Sequence, residues 1–268
     1  MTRLSLMVRV LSAALATVAM ATGLSACGGP NTLTVCTSIP YEPFQYKDSW
    51  KDNKIVGFDV DMMDLVAKKL GAQQKIVDSG FDSIDSGSVL EDGDCDVAAA
   101  ALSITPDRQK KMSFSQPYYY ADQALAAKKD SKLKNLKGLK GKKLGVQRDT
   151  TGAAYAEENQ DKYGYKIRPY NNLDQLREAL IYDVVDAAIN DVPLWTSKVD
   201  KAPEPLRIIQ RYDTGEKYGY AVSKDNADLL KTINAVLDEA KKDGQYDKIC
   251  KKWIGEKCAS GNDSGDGG

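Results

Sequence analysis

Apolar positions between residues 33 and 253 follow two periods in turn, and the order of those periods predicts the architecture. Leu33-Thr-Val-Cys-Thr-Ser38 is a β-branched run that reads as a strand. A Tyr41-Glu-Pro-Phe44 turn and a polar loop to Gly57 follow. Phe58, Met62, Leu65, Val66 and Leu70 then recur at helical spacing, with Gly71 as the stop. Residues 74–78 read as a second strand, and a short helix is expected from about Asp82. Glu91-Asp-Gly-Asp94 turns the chain into the apolar run Ala98-Ala-Ala-Ala-Leu102. Strand, helix, strand, helix, strand is the order of a parallel sheet with crossover helices.

A second series repeats the order. Residues 122–129 read as an extended crossing segment, and a Lys-rich stretch, taken as solvated surface, leads on to a strand at 143–147. Thr150-Thr-Gly152 opens a helix, 166–170 is a strand, and Leu173, Leu176 and Leu180 mark a helical face. Val185-Asp-Ala-Ala-Ile-Asn190 is a buried strand that delivers Asp191 at its end, before Pro193. Residues 218–222 read as an extended return. Leu230, Ile233, Leu237 and Ala240 share one helical face, and 245–253 forms a last helix. The fold class is therefore α/β, with two small units in sequence.

Ligands of such sheets bind outside the carboxyl ends of the strands. In the first unit Thr105-Pro106 is a natural helix start, which gathers Ser103 and Arg108 at a strand end near Tyr41. Helix N-termini attract anions, and a guanidinium matches a carboxylate bidentately. In the second unit Thr150, Thr151 and Asp191 occupy the equivalent place. Each has a plainer reading: a solvated Arg at an ordinary connection, Thr150, Thr151 and Asp191 as helix caps, Tyr41 and Phe81 as core aromatics.

Composition narrows the chemistry. Lys and Arg number 37 against 38 Asp and Glu, so there is no basic excess and nucleic acid is not expected as a partner. Histidine is absent, which excludes Ser-His and Cys-His catalysis and His metal ligands. No cofactor and no metal site is expected. At the N-terminus, Arg3 and Arg9 precede an apolar run from Val10 to Ala21, too short for a confident membrane span. Residues 1–26 read as a signal peptide. Leu24-Ser-Ala-Cys27 resembles a bacterial lipobox, which makes Cys27 the lipidated first residue of the mature protein and 27–32 a linker. Anchoring through two or more acyl chains places the protein outside the cytoplasm, on the outer face of the cytoplasmic membrane. Export permits disulfides. Of the three pairings open to Cys36, Cys95, Cys250 and Cys258, Cys250–Cys258 closes most easily and leaves Cys36–Cys95. The Gly/Ser/Asp tail over 259–268 is expected to be disordered.

Seven motifs, in order, resemble the polar amino acid-binding proteins of ABC importers, the family 3 extracellular solute-binding proteins. They are Tyr41-Glu-Pro-Phe, Gly57-Phe-Asp-Val-Asp, Phe81-Asp, Ser103-Ile-Thr-Pro-Asp-Arg, Phe114-Ser-Gln-Pro-Tyr, Gly145-Val-Gln-Arg-Asp-Thr-Thr and Asp186-Ala-Ala-Ile-Asn-Asp. The resemblance implies two α/β lobes joined by two crossings, of the type II periplasmic-binding-protein kind. Lobe one would comprise 33–122 and 222–258, and lobe two 123–221. It further implies that Arg108 holds a ligand's α-carboxylate with the N–H groups of Ser103 and Thr151. Asp191, the Ser103 hydroxyl and the Ala101 carbonyl would take the α-ammonium, and Tyr41 and Phe81 would wall its side chain. Ala100 and Ala101 stand where many members have hydroxyl residues. Asp149 replaces the usual Gly and brings a carboxylate near the cleft. The implied partners are a free polar amino acid, with arginine, lysine or glutamine favoured, and an ABC permease; the protein would be a monomer. Two other functions share this sequence pattern. One is an exported cyclohexadienyl or arogenate dehydratase, with Glu42, Asp59 or Asp149 as its acid. The other is a sensor ectodomain, which should continue into a membrane span and signalling domain.

Overall fold

The computed structural model describes residues 31–50, 52–199, 206–255 and 258. The expected signal peptide, Cys27 and the 259–268 tail lie outside the described residues, as does most of the linker.

Two five-stranded sheets share one plan. The first contains β1 (Thr32–Thr37), β4 (Gln73–Asp78), β5 (Val97–Ala98), β6 (Ser113–Phe114) and β12 (Ala221–Val222), in the order β4-β1-β5-β12-β6. The second contains β7 (Tyr119–Lys128), β8 (Lys143–Gln147), β9 (Lys166–Tyr170), β10 (Ala187–Asp191) and β11 (Leu206–Tyr218), in the order β11-β7-β10-β8-β9. In each, three strands run parallel and two more add antiparallel at one side. A hairpin of β2 (Tyr46–Asp48) and β3 (Lys54–Val56) lies where a polar loop was expected. Its strands are too short and too polar to carry an alternating signal.

Helices cover both faces of each sheet: α1 (Phe58–Lys69), α2 (Phe81–Ser86), α3 (Ser88–Glu91), α4 (Pro106–Lys111), α8 (Ala227–Asp243) and α9 (Gln245–Trp253) in lobe one, and α5 (Thr151–Tyr163), α6 (Leu173–Ile181) and α7 (Val192–Val199) in lobe two. The strands therefore bury side chains on both faces. In β7, Leu125 and Ala127 join one core cluster while Ala124 and Ala126 join the other; in β10, Ile189 and Ala188 divide in the same way. Alanine on one face lets α6 and Trp195 approach the sheet closely.

The chain passes between the sheets on β7 and β11, which pair antiparallel from Tyr119↔Tyr218 to Leu206↔Lys128. The long β11 was not expected ahead of residue 218, because its exposed half alternates charged residues instead of apolar ones. Lobe one packs aromatics against this crossing. Phe58 stacks on Tyr118 at 5.7 Å and Tyr118 on Tyr220 at 4.1 Å. Two disulfides, Cys36–Cys95 and Cys250–Cys258, join elements of the same lobe.

Candidate functional site

The cleft is built from strand ends and helix starts. In lobe one, β5 is only two residues long, and the apolar run after it leaves the ladder at Ala99. Ala101 adopts a left-handed backbone, φ +48, a conformation costing of order 1–3 kcal/mol in a non-glycine residue. Its N–H is held by the Asp59 carboxylate at 2.8 Å. Asp59 is buried in the core, and desolvation pushes its pKa up to about 7 against the opposing hydrogen bonds from the Ala101 N–H and the Tyr220 hydroxyl. Thr105 then caps α4, accepting from the Arg108 N–H, with Pro106 at the first helical position.

This turn presents Arg108, 4% exposed, to the cleft. Its Nε donates to Asp85 at 2.7 Å, Nη1 to the Ser103 carbonyl at 2.9 Å and Nη2 to the Asp149 carbonyl at 3.0 Å. A guanidinium has five N–H groups, so these bonds leave one on each Nη, the pair that grips a carboxylate in parallel. Asp149 belongs to lobe two, so Arg108 already spans the cleft. The Phe81 ring lies 5.5 Å from the guanidinium carbon and lines a cavity of about 500 Å³ at the cleft mouth with Asp78, Asp82, Arg148 and Asp149.

In lobe two, Asp149 has φ +62, a left-handed conformation that favours glycine and that Asp tolerates better than most residues. The group it directs at Arg108 is its carbonyl, while its side chain is exposed. Thr150 caps α5, accepting from Ala153 N–H at 3.1 Å and donating to the Gln147 carbonyl at 2.8 Å. Thr151 opens the helix with its N–H in the first turn. Gly152 permits the close approach of that turn to β7, since a Cβ there would come within 2.7 Å of Gln123 Oε1.

Asp191 ends β10 and is buried. Its carboxylate accepts from Tyr41 Oη at 2.7 Å and from Tyr218 Oη and Gln123 Nε2. Burial first, and the charge of Glu216 second, raise its pKa to about 7, against the three hydrogen bonds. Tyr41 thus crosses from lobe one to grip an acid of lobe two, and burial holds its own hydroxyl well above the usual tyrosine range.

Four residues of this network were not expected from the sequence: Asp85, Gln123, Glu216 and Tyr218. Gln123 offered a signal, a polar residue entering the buried Ala124–Ala127 run. Glu216 follows Thr214-Gly215, a turn signal inside an extended stretch. Asp85 lies on a six-residue helix with no period to read.

The profile of the bacterial extracellular solute-binding proteins, family 3, matches residues 33–256. The chain belongs to that family. Among curated family members, the arginine-binding extracellular protein ArtP of Bacillus subtilis (strain 168) is 33% identical over 245 residues, covering 87% of this chain and 94% of its own. Among solved family structures, an ancestral arginine-binding protein bound to arginine superposes with TM-score 0.78 at 38% identity, covering 83% of this chain and 98% of that one. The ancestral amino acid-binding protein AncCDT-1, described as a precursor of cyclohexadienyl dehydratase, gives TM-score 0.74 at 34% identity, over 84% and 95%. Each aligned chain is matched almost end to end, so the two-lobed α/β architecture of the family is the architecture of this protein.

Proposed function

We propose that this protein captures a free amino acid between its lobes outside the cytoplasm and delivers it to an ABC permease, held at the membrane by lipidated Cys27. One observation carries the reading: a single hydrogen-bonded path crosses the cleft from Arg108 of lobe one to Asp191 of lobe two. An α-amino acid is a zwitterion and needs one fixed cation and one fixed acid a few ångströms apart. Arg108 would take the α-carboxylate through its two remaining Nη protons, with the N–H groups of Ser103 and Thr151. Asp191, the Ser103 hydroxyl and the Ala101 carbonyl would take the α-ammonium. Tyr41 contributes by holding Asp191, and Phe81 by facing the side chain at the mouth.

Ion pairs in an open, wet cleft contribute little. Closure desolvates them, and charge-assisted bonds then contribute ~1.5–3 kcal/mol each. Four such bonds, less an association cost of at least ~4 kcal/mol, reach the ~−8 kcal/mol of a micromolar complex. The ligand therefore shifts a hinge equilibrium toward closure because the closed state alone makes both sets of contacts. Arginine, lysine and glutamine are the favoured ligands, in keeping with the arginine-binding names among the relatives.

The test is calorimetry against the twenty amino acids, with prephenate and arogenate included. Tight binding of one amino acid without turnover supports transport. Dehydration of prephenate or arogenate to an aromatic product would overturn it in favour of the dehydratase. Of the acids considered for that enzyme, Asp59 is sealed in the lobe-one core and Asp149 turns outward, which favours the binding role.

A further inference from the structure

The crossing strand β11 carries a second acid into the cleft. Its pairing with β7 shifts register between Tyr212 and Glu216, and Gly215, at φ +61, provides the left-handed residue of that irregularity. The shift turns Glu216 inward. Its Oε2 accepts from Ser103 Oγ of lobe one at 2.8 Å and from Thr151 Oγ1 of lobe two at 2.5 Å. Its Oε1 accepts from Gln123 Nε2 at 2.9 Å and from Thr214 Oγ1 at 3.0 Å. Gln123 Nε2 also binds Asp191, so the two carboxylates share one donor.

Resting on the proposed amino acid-binding function, we infer that Glu216 is a specificity-determining residue that makes the cleft prefer an amino acid with a positively charged side chain over its neutral isostere.

Two physical arguments lead there. The first is hydrogen-bond polarity. A hydroxyl has a single proton, and Ser103 and Thr151 both spend theirs on Glu216. Thr151 Oγ1 also accepts from Gln123 Nε2 at 3.3 Å, and the acceptor capacity that remains on the two hydroxyls suits an ammonium and repels a second carboxylate. The second is charge. Asp85 pairs with Arg108 on its Nε edge, so the charge of Arg108 is offset before Asp191 and Glu216 are counted. A zwitterion brings no net charge and leaves that excess in place, whereas a cationic ligand reduces it by one. The long-range attraction acts in a desolvated cleft, where it is strong. The influence of Glu216 on Asp191 is already visible in the raised pKa of Asp191.

The test measures dissociation constants of arginine and citrulline, which share a shape and differ in charge, by calorimetry. The wild type is expected to prefer arginine by about tenfold or more, and Glu216→Gln to bring the two ligands within about threefold of each other. Glu216→Asp keeps the charge and should keep the preference even if both affinities fall. A merely structural role would weaken both ligands alike and leave their ratio unchanged. Equal binding of arginine and citrulline by the wild type, an unchanged ratio in Glu216→Gln, or loss of preference in Glu216→Asp would each overturn the inference. If the wild type bound no amino acid at all, the proposed function itself would fail, a result distinct from binding with an unaltered ratio.

Discussion

In the lobe that carries Arg108, Cys36–Cys95 ties β1 to the turn before β5, and Cys250–Cys258 ties α9 to the segment after it. In the lobe that carries Asp191, the described residues include no disulfide, and the core around β7 and β10 is mostly alanine and leucine, with Tyr165 and Trp195 among them. The sheets otherwise match, three parallel strands and two antiparallel. The difference follows from how each is assembled. Lobe two is one continuous stretch of chain, so none of its contacts has to span an intervening lobe. Lobe one is made of two stretches separated by the whole of lobe two, and closing such a loop costs more chain entropy. The stack of buried aromatics, Phe58, Tyr118 and Tyr220, ties the returning chain to the first stretch, while each disulfide closes a loop within one stretch.

The comparison breaks most sharply at the binding groups. Arg108→Ala removes two charge-assisted bonds of ~1.5–3 kcal/mol each, so amino acid affinity should fall by roughly 10²- to 10⁴-fold. Asp191→Asn should cost about tenfold or more, and calorimetry of both variants would show whether the two lobes contribute comparably. An Arg108→Ala protein that kept wild-type affinity would remove the basis of the proposed clamp.

Within lobe one, the two covalent links rank next. By the chain-entropy estimate, losing the 59-residue Cys36–Cys95 link costs about 4 kcal/mol, and the 8-residue Cys250–Cys258 link about 2.5 kcal/mol. Urea unfolding of the Cys36→Ser/Cys95→Ser and Cys250→Ser/Cys258→Ser variants should show that order.

Each lobe also buries one acid that titrates near 7, Asp59 in lobe one and Asp191 in lobe two, against an ordinary value of 3.8. Between about pH 4 and 7 the native state keeps protons that the unfolded chain has released. These groups therefore lower stability as pH rises through that window and add no further loss above it. The stability of the wild type relative to Asp191→Asn should fall from pH 4 to pH 7 and then level off. An ammonium bound at Asp191 would favour its charged form, so ligand binding near pH 6.5 should release protons, read from calorimetry in buffers of different ionisation enthalpy. Asp191→Asn should abolish that release, whereas the Asp59 contribution to stability should persist with ligand bound.

The smallest effect is expected at Asp149→Gly. The left-handed turn and the carbonyl that meets Arg108 both survive the change, so affinity should stay within about threefold and stability within ~1 kcal/mol. A larger loss of affinity would mean that the Asp149 carboxylate, and not its carbonyl, acts in the cleft.

The sequence alone determined whatever depends on neighbours along the chain. Period, caps and turn residues located α1, α9, β8 and β9 to within a residue or so, gave the start of α5 and the buried face of α8, and placed Arg108, Thr151 and Asp191 at the cleft-facing ends of their elements. It could not deliver the hairpin β2–β3, whose residues carry no period, or the full length of β11, whose exposed face is charged. Nor could it show that Asp85 holds Arg108, that Tyr41 and Tyr218 hold Asp191, or that Glu216 joins both lobes. Those bonds connect residues 23 to 150 positions apart. A hydrogen bond is recognised by distance and direction in space, and only the packing of the two sheets brings such partners together.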